Sequence, residues 1–151
     1  MTKHLEPTLY TLYLAILVWA PLPFASNRPW GAALLAVFIA AVLVVWLFLY
    51  ATGRAPISAE TWRRARLPQA KLLLVQAWVF LQSVDLPRDW VALLSPQAFQ
   101  WHLREGWLTL SLDPAATRYY LLRGWTFTGG FFLSLALVNT HQRLQTLLQV
   151  L

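Results

Sequence analysis

The chain consists of long uncharged runs separated by short segments that hold nearly all of its charges. The longest apolar run covers residues 31–51, and residues 7–27 and 124–142 also lack Asp, Glu, Lys and Arg. The 21 residues of the longest run would form a helix about 31 Å long, which matches the hydrocarbon core of a bilayer. The pattern therefore predicts membrane-spanning helices.

Four spanning helices are predicted, at about residues 9–26, 30–52, 68–84 and 114–142. The first has a signal peptide as its alternative, with Lys3 in the charged end. The third is short, and we expect it to begin at Pro68 with Lys71 reaching back to the interface; a re-entrant segment is the alternative. The fourth is expected to begin outside the membrane, with Asp113 as N-cap and Pro114 as the first helical residue.

The composition supports a membrane protein. Apolar residues make up 58% of the 151 residues, against about 45–50% in soluble domains, and the charged share of 12% is about half the usual value. A soluble domain of this size leaves much of its surface exposed to water, so a soluble enzyme is disfavoured. Nine Trp, five Tyr and eight Phe exclude a disordered chain. The chain has no Cys, which excludes disulfides and thiolate metal sites.

The basic residues predict the orientation. With both termini in the cytoplasm, the inner side holds Lys3, Arg54, Arg63, Arg64, Arg66, Lys71 and Arg143, and the outer side holds Arg28, Arg88, Arg104, Arg118 and Arg123. The compact cluster WRRAR at residues 62–66 dominates this inner excess. We interpret the cluster, on a short helix from Ser58, as a topology signal, with contact to anionic lipid headgroups as the alternative. The net charge of +6 is explained by this excess of basic residues on the inner side, so no nucleic-acid partner is predicted.

The predicted outer loop, residues 85–113, is amphipathic. One turn of helix is expected to end at Leu94, and a second helix to follow with Ser95 as N-cap and Gly106 as its stop. Phe99 and Leu103 share one face of that second helix, which predicts that it lies flat on the outer leaflet. Tryptophans at the headgroup level would anchor the loop, with stacking on sugar rings as the alternative. They are Trp90, Trp101, Trp107 and Trp125.

The candidate functional residues belong to the fourth predicted helix. Arg118 and Arg123 lie one to two turns before the membrane, where guanidinium groups could dock a lipid phosphate or another anion; snorkelling into the headgroups is the alternative. Thr126, Gly130 and Ser134 recur every four residues. Such a stripe of small residues predicts a face for close helix packing.

The sequence predicts no catalytic residue, cofactor or metal site. His102 has Glu105 three residues further on, but one His–Glu pair is a weak signal for a general base, and we interpret His102 as a surface residue. A Ser-His-Asp set and a Gly-rich phosphate loop are both missing from the sequence. A transporter is disfavoured, because no ionisable residue lies firmly inside a predicted span.

Short motifs follow one another through residues 72–151: LP at 86–87, LSP at 94–96, LSLDP at 110–114 and TR at 117–118, before a Leu-rich segment from 141. In this order they resemble the N-terminal part of the O-antigen ligase and polymerase family, multi-spanning bacterial inner-membrane glycosyltransferases. The resemblance implies a chain that handles undecaprenyl-linked glycans on the periplasmic face, without a metal. The family's catalytic residues lie in later outer loops with no counterpart here, so none is carried over.

Two functions from different classes follow. The first is a non-catalytic structural or docking subunit of a larger inner-membrane assembly, with membrane lipids and other integral subunits as partners. The second is a truncated section of a glycosyltransferase acting on polyprenyl-linked glycan. We expect the first, because the family's catalytic groups are missing. The predicted fold is one all-α integral membrane domain over residues 1–151, with four transmembrane helices, both termini cytoplasmic, an outer loop of short interfacial helices, and a cytoplasmic segment at 143–151.

Overall fold

A computed structural model describes residues 5–22, 28–55, 59–101 and 107–150. Over these residues the chain is all-helical, as predicted, and its one extended pairing is a β-bridge between Leu86 and Leu108. The helices of the described part are α1 (Leu5–Trp19), α2 (Pro29–Ala51), α3 (Ala59–Ser83), α4 (Arg88–Leu94), α5 (Pro96–Trp101), α6 (Pro114–Leu137) and α7 (His141–Val150).

Within the described residues, α2 is the one helix that is long and apolar enough to cross a membrane. Its bounds agree with the predicted 30–52 to within one residue at each end. Pro29 opens it, and the Thr52 hydroxyl donates a hydrogen bond to the Phe48 carbonyl, 2.9 Å away, at its end. Gly53, with φ of 70°, then turns the chain in a conformation that other residues rarely adopt. Only 33% of its most apolar 18-residue stretch is buried, so most side chains of that stretch face outward.

The first helix lies earlier than the predicted 9–26. It begins at Leu5 and ends at Trp19, and the backbone then turns, with the Leu22 N–H donating to the Trp19 carbonyl. Pro21 accounts for this end, because a proline has no N–H for the helix and disfavours helical backbone at the residue before it. The remainder of the predicted helix, from residue 23, lies outside the described residues.

The third helix begins nine residues before the predicted start. Residues Ala59–Ser83 form one continuous helix, and Pro68 lies inside it rather than at its first position. The preceding turns are rich in Glu, Arg, Ala and Leu, which are strong helix formers. The helix therefore continues through Pro68, although proline removes one backbone hydrogen bond. The short helix predicted to begin at Ser58 is thus part of α3, and Ser58 itself lies outside the described residues.

The fourth helix begins as predicted and ends early. The Asp113 carboxylate accepts a hydrogen bond from the Ala116 N–H at 3.0 Å, which confirms the cap. The helix ends at Leu137 rather than at residue 142. Thr140 then caps a new helix, because its hydroxyl oxygen accepts from the Arg143 N–H at 3.3 Å. The predicted cytoplasmic segment 143–151 is thus mostly α7.

Contacts group the chain into two compact units, unit 1 (residues 1–69 and 126–151) and unit 2 (residues 70–125). Unit 1 has a core of large side chains from α1, α2 and α6. Its most deeply buried members are Tyr13, Val42, Trp46, Leu133 and Leu137.

Unit 2 has a small core of its own. Val91 of α4, Ala98 of α5 and Leu108 are each at most 4% exposed, and the bridge between Leu86 and Leu108 closes the base of the loop that carries them. Ser95 caps α5 as predicted, since its hydroxyl oxygen lies 3.4 Å from the Ala98 N–H. The predicted stop at Gly106 lies outside the described residues.

Candidate functional site

The polar centre of unit 1 is the Tyr13 hydroxyl. Tyr13 is 1% exposed, and its hydroxyl donates to the Gly130 carbonyl at 2.8 Å and lies 2.5 Å from the Ser134 hydroxyl. Gly130 and Ser134 belong to the predicted packing stripe, and Thr126, its third member, is buried as well. The hydroxyl groups of Tyr13 and Ser134 therefore find hydrogen-bond partners within the chain, and these bonds join α1 to α6.

Of the two adjacent glycines of α6 that lie against α2, Gly129, next to the predicted stripe, is the nearer to Ile39. A Cβ atom on Gly129 would lie 3.3 Å from Cγ2 of Ile39, whereas one on Gly130 would lie 3.8 Å from Cδ1 of the same residue. The first distance is tighter than ordinary van der Waals contact. The prediction from spacing by four residues includes Gly130 but not Gly129, the glycine that lies nearer to α2.

Four residues from opposite ends of the sequence form what we call the terminal clasp: Glu6, Tyr10, Asn139 and Arg143. The Arg143 guanidinium donates to the Glu6 carboxylate at 2.8 Å and to the Leu137 carbonyl at 2.9 Å. The Tyr10 hydroxyl donates to the Arg143 carbonyl at 2.6 Å, and its ring lies under the guanidinium, 5.0 Å away. The start of α1 and the end of α6 therefore lie side by side, and the two helices run antiparallel.

An open groove of about 230 Å³ lies between α1, α2 and α6. Its walls are apolar apart from the hydroxyl groups of Tyr13, Thr126 and Ser134. A surface of this kind accommodates hydrocarbon, because burial of apolar area is favourable and the Tyr13 and Ser134 hydroxyls already have partners in the chain.

The two predicted anion ligands make separate contacts within unit 2. The Arg118 guanidinium donates to the carbonyl of Ser83 at 3.1 Å. Ser83 is the last residue of α3, so this cation stabilises the carbonyl end of that helix. The Arg123 guanidinium lies 5.9 Å from the ring centre of Tyr119, within cation–π range. Anion docking by these arginines stays a prediction.

Helix α3 buries polar side chains and exposes apolar ones. Gln76 is 7% exposed and Ser83 is 4% exposed, whereas Leu74 is 73% exposed and Trp78 is 56% exposed. The Gln76 side-chain oxygen is buried and has no hydrogen-bond partner among the described residues, and the amide lies directly against Gly124. Gln69, Gln76 and Ser83 are spaced by seven residues and therefore share a face. This spacing is visible in the sequence but is missed by a search for apolar periodicity.

The loop of unit 2 presents large apolar side chains outward. They are Trp90, Leu93, Leu94, Trp101, Trp107 and Leu112, each more than half exposed. Phe99, predicted to face the leaflet, instead packs against the small core and lies 4.9 Å below the Arg88 guanidinium. The reason is that Ala98 and Phe99 both meet α4, so the exposed aromatic of α5 is Trp101. Leu103, on the same predicted face, lies outside the described residues.

The predicted pair His102 and Glu105 lies outside the described residues. Among the residues that the structure describes, no three His, Cys, Asp or Glu side chains come together as metal ligands. The chain matches no protein-family model, no curated protein and no solved structure.

Proposed function

We propose that the chain is a multi-pass membrane protein that serves as a non-catalytic structural or docking subunit of a larger inner-membrane assembly. In this proposal α1, α2, α3 and α6 cross the bilayer. Both termini are cytoplasmic, and the loop of unit 2 lies on the periplasmic leaflet.

The observation that carries this proposal is the distribution of polar and apolar side chains on α3 and α6. Gln76 and Thr128 are buried, whereas Leu74, Leu122 and Phe127 are each more than 60% exposed. In water this arrangement has two free-energy costs, because the apolar area stays exposed to water and the polar groups lose their hydration. In lipid it is the expected one, because polar residues of spanning helices face the bundle interior.

The terminal clasp supports an even number of crossings. Glu6 precedes the main part of α1 and Arg143 follows α6, and their side chains form an ion pair. Both residues therefore lie on one side of any bilayer that these helices cross. The basic residues at the start of α3 favour the cytoplasm for that side.

A subunit role is supported by how the polar groups of unit 1 are used. The hydroxyl groups of Tyr13 and Ser134 satisfy each other and the Gly130 carbonyl, which is a packing role rather than a chemical one. Partner helices would then meet the outward apolar faces, such as Val37, Val44 and Phe48 of α2, which are at least 60% exposed.

The second candidate is the front section of a glycosyltransferase that transfers undecaprenyl-linked glycan. Its support is the ordered set of motifs from LP at 86–87 to TR at 117–118. Within that set, Asp113 caps α6 and Arg118 holds the end of α3. These roles position helices of unit 2 and supply no reacting group.

Two experiments test the proposal. Because the chain has no native Cys, single substitutions report topology directly, and Gln97→Cys and Gln145→Cys form a matched exposed pair, with Thr52→Cys as a third site. An impermeant maleimide should label Gln97→Cys in intact spheroplasts and the other two only after permeabilisation. Labelling of all three in intact spheroplasts, or release of the chain by alkaline carbonate, would contradict the topology.

The intact mass of the native polypeptide separates the two functions. A 17.3 kDa chain that co-purifies with a defined membrane complex supports the subunit. A much heavier native polypeptide containing this sequence refutes the subunit and supports the glycosyltransferase section.

A further inference from the structure

The first turns of α3 carry three exposed arginines with different surroundings. Arg64 pairs with Glu60 one turn earlier on the helix. Arg63 and Arg66 have no carboxylate partner in the part of the chain that the structure describes. They are three residues apart, so they project from the same side of the helix. Two guanidinium groups are thus directed outward together.

The position of these arginines along the helix is set by packing inside unit 1. Trp62 and Ala65 line a small pocket with Phe132 and Leu135 of α6. The helical turns of α3 that carry the arginines therefore lie beside the last turns of α6, close to its end at Leu137. This is the end at which the terminal clasp holds α1.

Exposed apolar side chains lie on both sides of the arginines along α3. Trp62, directly before Arg63, is 52% exposed, Leu67, directly after Arg66, is 67% exposed, and the outward residues further along the helix include Leu73 and Leu74. Tryptophan and arginine are typical of the membrane–water interface, and exposed aliphatic side chains are typical of the hydrocarbon region. In the proposed membrane location the arginines therefore lie at the level of the headgroups.

From this geometry we infer that Arg63 and Arg66 bind the phosphate of an anionic phospholipid in the leaflet at the start of α3. A guanidinium offers paired N–H donors that match two phosphate oxygens, and two such groups on one side of a helix complement a single anionic headgroup. The predicted pair Arg118 and Arg123 differs, since those guanidinium groups contact Ser83 and Tyr119. The inference rests on the proposed membrane location.

The test measures lipid affinity of the full chain in a neutral detergent, by native mass spectrometry with phosphatidylglycerol or phosphatidylcholine added. Each arginine near an anionic surface changes affinity about five-fold. We expect Arg63→Gln with Arg66→Gln to weaken phosphatidylglycerol binding about 25-fold and to leave phosphatidylcholine binding unchanged. Arg64→Gln is the matched control and should change either affinity less than two-fold, because Arg64 already has a carboxylate partner.

Several outcomes would overturn the inference. Equal wild-type affinity for the two lipids would remove its basis, as would an equal loss in the Arg64→Gln control. Inorganic phosphate that displaces phosphatidylglycerol at equal concentration would assign the site to free phosphate instead. If the double variant does not fold, the two single variants, each about five-fold weaker, carry the test. Release of the chain by carbonate refutes the proposed location, whereas loss of lipid selectivity in a carbonate-resistant chain refutes only the arginine site.

Discussion

Adjacent glycines of α6 offer the sharpest test of the packing. In Gly129→Ala, the new Cβ would lie 3.3 Å from Cγ2 of the buried Ile39, so the Ile39 side chain must move away by a few tenths of an ångström in a packed core. In Gly130→Ala, the new Cβ would lie 3.8 Å from Cδ1 of Ile39, an ordinary contact. Both substitutions change helix propensity equally, so their difference isolates the contact. We expect Gly129→Ala to be less stable than Gly130→Ala by about 1–3 kcal/mol, the range for overpacking.

The assay is unfolding of the chain in mild detergent by titration with SDS, followed by circular dichroism. Ile39→Leu provides the matched rescue, since leucine has nearly the same volume but no methyl group at the Cγ2 position. It should recover most of the Gly129→Ala loss and leave Gly130→Ala unaffected. Equal stability of the two glycine variants, or a failure of Ile39→Leu to distinguish them, would refute the tighter contact of Gly129 with Ile39.

Three further substitutions probe the polar contacts, each measured by the same titration. Tyr13→Phe removes the hydroxyl that bonds Gly130 and Ser134 and should lower the free energy of unfolding by about 0.5–1.5 kcal/mol. The control Tyr50→Phe, at an exposed tyrosine, should leave it unchanged. Equal effects of the two substitutions would refute the Tyr13 contact. Arg143→Gln removes the charged bonds of the terminal clasp and should cost about 1.5–3 kcal/mol; no loss would show that the clasp does not form. Gln76→Met removes a buried oxygen without a partner and should raise stability by about 1 kcal/mol, and a clear loss would mean that the amide is bonded.

Much of the helical architecture can be predicted from local sequence. Asp113 and Ser95 cap helices as their side chains predict, and the bounds of α2 follow from its uncharged run and its flanking Pro29 and Gly53. The errors are also local. The sequence predicts that Pro68 opens a helix, but the helix continues through it. The end of α6 at Leu137 and the Thr140 cap that begins α7 are also missed at the level of the sequence. Four crossings and the role of the outer arginines stay predictions.

The sequence alone predicts an all-helical chain, the starts of α2, α5 and α6, and a composition more apolar than that of an ordinary soluble domain. The sequence does not determine which face of each helix lies inside. In α3 and α6 apolar residues occur on exposed and buried faces alike, so apolar periodicity cannot distinguish the two. Only the tertiary structure brought Tyr13 to Ser134 and Glu6 to Arg143, more than 120 residues apart in each case. Buried polar groups must find partners wherever the fold provides them, and sequence distance does not limit that choice.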